Sequence, residues 1–197
     1  HFEGFHRGAG SPNRFALATV RAGNVIGGGD WAADRLIPDT IRAITEGTPI
    51  TIRSPRATRP WQHVLEPIGG YLICGRALLT SPETVPQAVN FGPDASAARD
   101  VETVVRHLLS EMHPWTAELV VNEDTSNAEA KTLMVSSDLA GRVFGWRPAW
   151  SWDRALSRVA EWHRAHLTGE ADLAALSRAQ IAAYRADSPV AAFRYNG

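Results

Sequence analysis

Cysteine and lysine are almost missing from this chain. Its 197 residues hold one cysteine, Cys74, which excludes an internal disulfide framework and any cysteine-rich metal site. Cys74 falls in an apolar helical run, where a buried, inert thiol is the expected role. Among 20 basic residues only Lys131 is a lysine, which sharply limits any mechanism built on one. An excess of charge is also lacking: the net charge is -1, which argues against a protein whose main task is gripping nucleic-acid phosphates. No uninterrupted apolar run approaches a membrane span, and His1 to Gly10 lack the charged start and apolar stretch of a signal peptide. A soluble, cytoplasmic protein with neither membrane nor nucleic acid as partner is the expectation. The first residue is not methionine, so the chain is expected to be part of something longer.

What is present is ample apolar material, 44% of all residues, enough to bury a core in one domain with a partial second. Phe15-Ala-Leu-Ala-Thr19 before Val20, bounded by Ser11-Pro12-Asn13 and Gly23, reads as a buried strand. Gly27-Gly28-Gly29-Asp30 then forces a loop. Helical spacing predicts a helix over 36–46, with Pro38 in its first turn and Gly47 as its stop. Alternation predicts a strand at 48–53, the proline-bearing stretch 53–60 a loop, and 61–64 a short strand entering a helix over 65–79. A strand at 88–91, a helix over 101–112 and a strand at 119–121 follow. Ser136-Ser137-Asp138 reads as the cap of a helix ending at Phe144-Gly145, and Ser151-Trp152-Asp153 as the cap of a longer one to about 167. The tail is helical over 174–183 and weakly patterned beyond. Strands alternating with helices give an α/β or α+β class with too few strands for a complete doubly wound sheet.

The segment Arg21-Ala-Gly-Asn24-Val-Ile-Gly27-Gly-Gly-Asp30-Trp31 leaves a strand at its carboxyl end, where open α/β sheets place ligands. Glycines permit close backbone approach and Asn24 offers a donor and an acceptor; a tight turn with a capping asparagine is the plain alternative. Arg53, Arg56 and Arg59 crowd one short stretch, a density of guanidinium forks suited to a diphosphate, against the alternative of a solvated charged loop. Trp61 and His63 just beyond favour an inward-pointing Arg59. Arg35 precedes the helix at Leu36, where backbone N–H groups already favour an anion. His163 and His166 share a helical face and His63 precedes Glu66 by three, yet no third ligand stands at a familiar spacing, so no metal is expected. These histidines read as a surface pair and a sheet-edge residue. Ser136 and Ser137 are helix caps before they are nucleophiles, no G-x-S-x-G elbow occurs, and Trp146, Trp150 and Trp152 read as core.

Taken together, the segments R-A-G-N-V-I-G-G-G-D-W at 21–31, D-R-L-I-P-D at 34–39, A-T-R-P-W-Q-H-V-L-E-P at 57–67, N-F-G-P at 90–93 and F-G-W-R-P at 144–148 resemble the extended short-chain dehydrogenase/reductase family. Within it the similarity is to the CDP-glucose 4,6-dehydratases, and it covers almost the whole chain. The resemblance implies an α/β fold: the last strands of a Rossmann-like parallel sheet plus the smaller mixed α/β substrate-binding domain. It implies residues 1–34 as a remnant of the NAD-binding domain, 35–168 as mainly the nucleotide-sugar domain with about 65–93 returning to the Rossmann sheet, and 169–197 as a helical tail. The implied reaction is NAD-dependent conversion of CDP-glucose to CDP-4-keto-6-deoxyglucose, a hydro-lyase step of deoxysugar biosynthesis. By position, Asn24 resembles the family's asparagine at the sugar diphosphate, Arg35 with Leu36 the pair at the helix start beside the nucleotide, and Arg59 the arginine that clamps the diphosphate. Thr51 and Arg53 fall on the strand lining the base pocket, and Asn90 matches an asparagine near the nucleotide.

The departures from the family pattern concern catalysis. No G-x-G-x-x-G or G-x-x-G-x-x-G opens a helix; Gly4, Gly8 and Gly10 lack a preceding strand. With Tyr71, Tyr184 and Tyr195 the only tyrosines and Lys131 the only lysine, a Tyr-x-x-x-Lys pair is impossible, Asn127 standing where the tyrosine is needed. Ala128 stands where relatives carry a histidine before Glu-Ala, which is expected to alter sugar positioning. Residues 1–14 are expected to continue a helix that carries the missing pair. The expectation is therefore a chain with no catalytic residue of its own and no NAD binding alone. Its partners are CDP-glucose or a related nucleotide sugar, and a missing N-terminal half or a second copy. The alternatives are a non-catalytic nucleotide-sugar-binding module and a related epimerase or dehydratase.

Overall fold

The computed structural model describes residues 16–122, 134–169 and 172–188. Among the described residues, seven strands and six α-helices follow in chain order: β1 (Thr19–Ala22), β2 (Asn24–Ile26), α1 (Leu36–Glu46), β3 (Ile50–Ile52), β4 (Thr58–His63), α2 (Leu65–Thr80), β5 (Ala88–Phe91), β6 (Ala98–Asp100), α3 (Val101–Glu111), β7 (Leu119–Val121), α4 (Asp138–Phe144), α5 (Trp152–Thr168) and α6 (Leu173–Asp187). Three small sheets result. β1 pairs in parallel with β5, β3 in parallel with β7, and β4 lies between parallel β2 and antiparallel β6.

The helices form where apolar residues recur on one face. In α1, Ile37, Ile41 and Ile44 are buried at helical spacing, and Thr40 ties its hydroxyl to the Leu36 carbonyl at 2.7 Å. Asp100 caps α3 by accepting from the Thr103 backbone N–H at 2.9 Å and its hydroxyl at 2.8 Å. The buried faces of α1, α3 and α5 meet Ile26 and Trp61 of the central sheet in the main core, which includes Leu108, Met112, Leu156 and Val159. A second core joins α2 and α4 to β5 through Ile73, Cys74, Val89, Phe91, Ala140 and Trp146. Gly70 of α2 lies so close to the Phe91 ring that a β-carbon there would overlap it. The Gln62 side-chain amide links the sheets by donating to the Phe91 carbonyl at 2.9 Å.

Glu66 is the junction of the fold. Buried in the first turn of α2, its carboxylate accepts the backbone N–H groups of Ala149 at 3.0 Å and Trp150 at 2.8 Å, and the Tyr184 hydroxyl at 3.0 Å. Asp187 adds to this by accepting from the Trp150 indole at 2.9 Å and pairing with Arg154 at 2.6 Å. Together these contacts fasten α6 to α2 and α5, which is why a tail whose pattern is weak forms fifteen ordered helical residues.

Most elements stand where the sequence places them, and the differences have local causes. The first strand is Thr19–Ala22 with Thr19 and Arg21 exposed, not a buried run centred on 15–19, because only its β5 side is covered among the described residues. Residues 58–60 belong to β4, not to a loop: Pro60 has no N–H to offer, but Thr58 and Pro60 sit opposite β6, a strand the sequence pattern does not show. Asn24 is not in a turn; it opens β2. Neither Ser137 nor Ser151 caps its helix through the side chain. His63 is no edge residue, since β4 is central and the ring is buried, and His163 is fully buried while His166 alone is exposed. Trp146 and Trp150 do lie in the core, and Cys74 is buried, its thiol pushed up by that burial.

Candidate functional site

The register of the central sheet decides which candidate side chains share a face. In parallel β2 and β4, Asn24 stands against Trp61 and Ile26 against His63. In antiparallel β4 and β6, Arg59 stands against Arg99. Directly opposed residues point to the same side of a sheet, and so do residues two apart on one strand. Asn24, Arg59 and Arg99 therefore share the face on which Ile26 and Trp61 enter the main core. Asn24 and Arg59 are diagonal neighbours on it, with side chains starting about 7–8 Å apart. Both are half-buried, at the rim of the core. Arg59 donates from Nη1 to the Thr58 carbonyl at 3.0 Å.

The other candidates are placed less closely by the strands. Arg35 is exposed and pairs with Asp30 at 3.6 Å just before α1, and half-buried Leu36 packs against the cores. Asn90 lies on β5 opposite Arg21 and donates to the Ser136 carbonyl at 3.3 Å. Thr51 is exposed at the middle of β3 opposite Val120, and exposed Arg53 follows that strand, in a sheet separate from β4. Ala128, Asn127, Lys131 and the residues before Leu17 other than Ala16 lie outside the described residues.

The loop from β2 to α1 is held by rings. Trp31 lies 5.3 Å from His163 and 5.0 Å from His166 between ring centres, and Trp162 stacks on His166 at 5.7 Å. The Trp162 indole donates to Ser177 of α6 at 3.1 Å. Burial first, then the neighbouring His166, holds His163 down at about 4, with Gly27 and Asp30 opposing. His63, packed 5.0 Å from Trp150, is likewise held at about 4, by burial and then by Arg158. Sequence reasoning missed this cluster, the Glu66 junction and strand β6, for which no signal existed, since it is three residues without alternation.

Gly28 is required by this packing, because a β-carbon there would overlap the Trp162 ring. Gly28→Ala is expected to destabilise the chain by about 1–3 kcal/mol through overpacking. Urea unfolding measures it, and the penalty should vanish in a Trp162→Ala background. The Gly27–Gly28–Gly29 stretch joins a strand to a helix but lacks the G-x-G-x-x-G spacing of a dinucleotide loop, and Trp162 packs against Gly28.

Among the described residues no cluster of three or more histidine, cysteine, aspartate or glutamate side chains is arranged to hold a metal, and no helix is long and apolar enough to cross a membrane.

No family model matches the chain. It is 40% identical over 168 residues to the CDP-glucose 4,6-dehydratase of Salmonella typhimurium, a match covering 85% of this chain and 46% of that protein. Its fold is similar to that of UDP-glucuronic acid 4-epimerase from Bacillus cereus, solved with UDP-glucuronic acid and NAD, at a TM-score of 0.62 and 17% identity over 76% of this chain and 45% of the other. It is also similar to dTDP-glucose 4,6-dehydratase from Bacillus anthracis, solved with NAD, at a TM-score of 0.58 and 17% identity over 73% and 43%. The chain thus spans about half the length of the proteins it matches.

Proposed function

Because this chain is a homologue of CDP-glucose 4,6-dehydratase over 85% of its length, with the mixed α/β fold of the extended short-chain dehydrogenase/reductases, we propose that it is the sugar-nucleotide-binding half of such an enzyme. The observation that carries this reading is the shared sheet face of Asn24 and Arg59. A guanidinium fork and an amide about one strand apart suit the oxygens of a diphosphate: the fork donates two parallel N–H bonds, and the amide adds a donor without adding charge. Arg35 and the N-terminal end of α1 supply a further positive end, with Leu36 beside them. Thr51, Arg53 and Asn90 are assigned to the nucleotide, and CDP-glucose is the preferred ligand.

In the same reading, β1 and β5 with α2 belong to a larger parallel sheet. Parallel strands are normally buried on both faces and part of extended sheets, yet β1 pairs only with β5 among the described residues, and Leu17, Ile68 and Leu72 are exposed beside them. Residues 1–34 and about 65–93 then form the dinucleotide-domain portion, 35–168 otherwise the substrate domain, and 169–197 the tail. The partner is the half of the enzyme that supplies NAD and the proton-transfer pair. The chain itself has no Tyr-x-x-x-Lys, and its Tyr184 is engaged with Glu66, so turnover by this chain alone is not expected. A sugar-nucleotide-binding module without turnover of its own is the second reading, favoured by that same engaged tyrosine.

Isothermal titration tests the proposal. CDP-glucose should bind, NAD should give no heat, and Arg59→Ala should weaken CDP-glucose by about 1.5–3 kcal/mol, the worth of a charge-assisted contact. Unchanged affinity in Arg59→Ala rejects the clamp, and strong NAD binding rejects the division of labour.

A further inference from the structure

The loop between β2 and α1 ends in a backbone conformation that its residue disfavours. Asp34 has a φ of 62°, in the left-handed region where residues other than glycine are uncommon, and Arg35 follows it directly into α1. Such a conformation persists only where surrounding contacts enforce it. Here the contacts gather on Trp31. Its indole meets His163 nearly at a right angle with ring centres 5.3 Å apart, and lies 5.0 Å from His166 and 6.4 Å from Trp162. From the other side, Arg42 of α1 donates to the Trp31 carbonyl at 3.3 Å while pairing with Asp39 at 2.5 Å. Asp30, next to Trp31, accepts the Ala32 backbone N–H at 3.1 Å and pairs with Arg35 at 3.6 Å. Core packing alone does not account for this indole: Trp31 is 47% exposed and belongs to none of the buried clusters. What its contacts do is fasten the loop to α5 on one side and to α1 on the other.

We propose that Trp31 is a positioning residue for Arg35: clasped between the α5 rings and Arg42, it holds the loop in the form that presents the Arg35 guanidinium to the sugar nucleotide's phosphates. This rests on the proposed sugar-nucleotide site and goes beyond it, since that reading gives Trp31 no role. An arginine on a loose loop loses backbone and side-chain freedom when it takes up an anion, and a loop already fixed loses less. The ion pair with Asp30 is long and largely solvated, with the Arg35 side chain 64% exposed, so it is weak and gives way readily to a phosphate. Trp31 acts through Arg35 and touches no substrate itself.

The test titrates the full chain with CDP, circular dichroism checking that each variant folds. Trp31→Ala should weaken CDP by about fivefold or more through lost preorganisation. Trp31→Phe keeps a ring against the imidazoles and should stay within about twofold of the parent chain. A double-mutant cycle separates positioning from general loosening: in an Arg35→Ala background, Trp31→Ala should change CDP affinity by less than about twofold, because the group it positions is gone. Unchanged CDP affinity in Trp31→Ala overturns the inference, as does a loss of the same size with and without Arg35. If Trp31→Ala does not fold, His166→Ala, at an exposed ring of the same clasp, takes its place in the cycle, and unchanged affinity there overturns it in the same way. CDP binding that Arg59→Ala weakens and Trp31→Ala leaves alone removes the role of Trp31 and keeps the sugar-nucleotide site. Absence of CDP binding by the parent chain removes both.

Discussion

Replacing Glu66 with alanine is expected to cost about 3–5 kcal/mol of stability, which is a large fraction of what a domain of this size has to lose. The change deletes one side chain but strands three donors: the N–H groups of Ala149 and Trp150, and the Tyr184 hydroxyl. Each buried donor left without an acceptor costs about 1–3 kcal/mol. The carboxylate does not stabilise for free. Burial pushes its pKa above the usual carboxylate range even though the three hydrogen bonds pull it down, and the same burial with the adjacent Glu66 drives Tyr184 upward. Glu66→Gln should lie between parent and alanine, since its amide oxygen retains an acceptor while its NH₂ meets donors. Urea unfolding followed by tryptophan fluorescence and by far-ultraviolet circular dichroism measures both. A loss below about 1 kcal/mol for Glu66→Ala contradicts the role given to this junction. Because α6 is fastened through Tyr184 and Asp187, the two probes are expected to separate in this variant, the tail helix loosening first.

Acid should unfold this chain early. His63 and His163 have ordinary values of 6.5 in the unfolded chain and about 4 in the folded one. Between those values the unfolded chain binds protons that the folded chain refuses, so stability rises with pH across the window and is lost as pH falls through it. A gap of this size corresponds to about 3 kcal/mol for each ring. Glu66 works in the opposite direction, because its raised carboxyl takes up a proton more readily folded than unfolded. The net expectation is a loss of about 3–5 kcal/mol between pH 7 and pH 4.5, read from urea midpoints at a series of pH values. His163→Phe keeps a ring among Trp31, Trp162 and His166 and removes the proton, so it should flatten the curve by about half. A parent curve already flat over this range contradicts the buried, neutral state of both histidines.

Much of the fold is written in local pattern. The isoleucines of α1 repeat at helical spacing and stop at Gly47, and β5 and β7 are short apolar runs between strong turn residues, so their limits match expectation. Where an element depends on distant partners, the pattern is silent. Thr58-Arg-Pro60 looks like a loop because proline and two polar residues favour one, yet β6 arrives from 40 residues away and makes it sheet. The tail offers only alanine-rich spacing, and its order comes from Glu66, at a sequence separation of 118. For the candidate site, Asn24 and Arg59 were readable as residue types suited to a diphosphate, but their common face is a matter of register, which composition does not encode. The ring cluster around Trp31 was illegible for the same reason: it matters only through what stands opposite it. The histidines show the converse, because spacing alone places His163 and His166 on one face without revealing that one is sealed and the other open.

A crystal structure of the chain grown with CDP bears most directly on the sugar-nucleotide assignment. The account predicts the two phosphates on the outer rim of the central sheet, with the Arg59 guanidinium and the Asn24 amide within about 3 Å of their oxygens. Density for CDP elsewhere, or phosphates facing neither side chain, would contradict it.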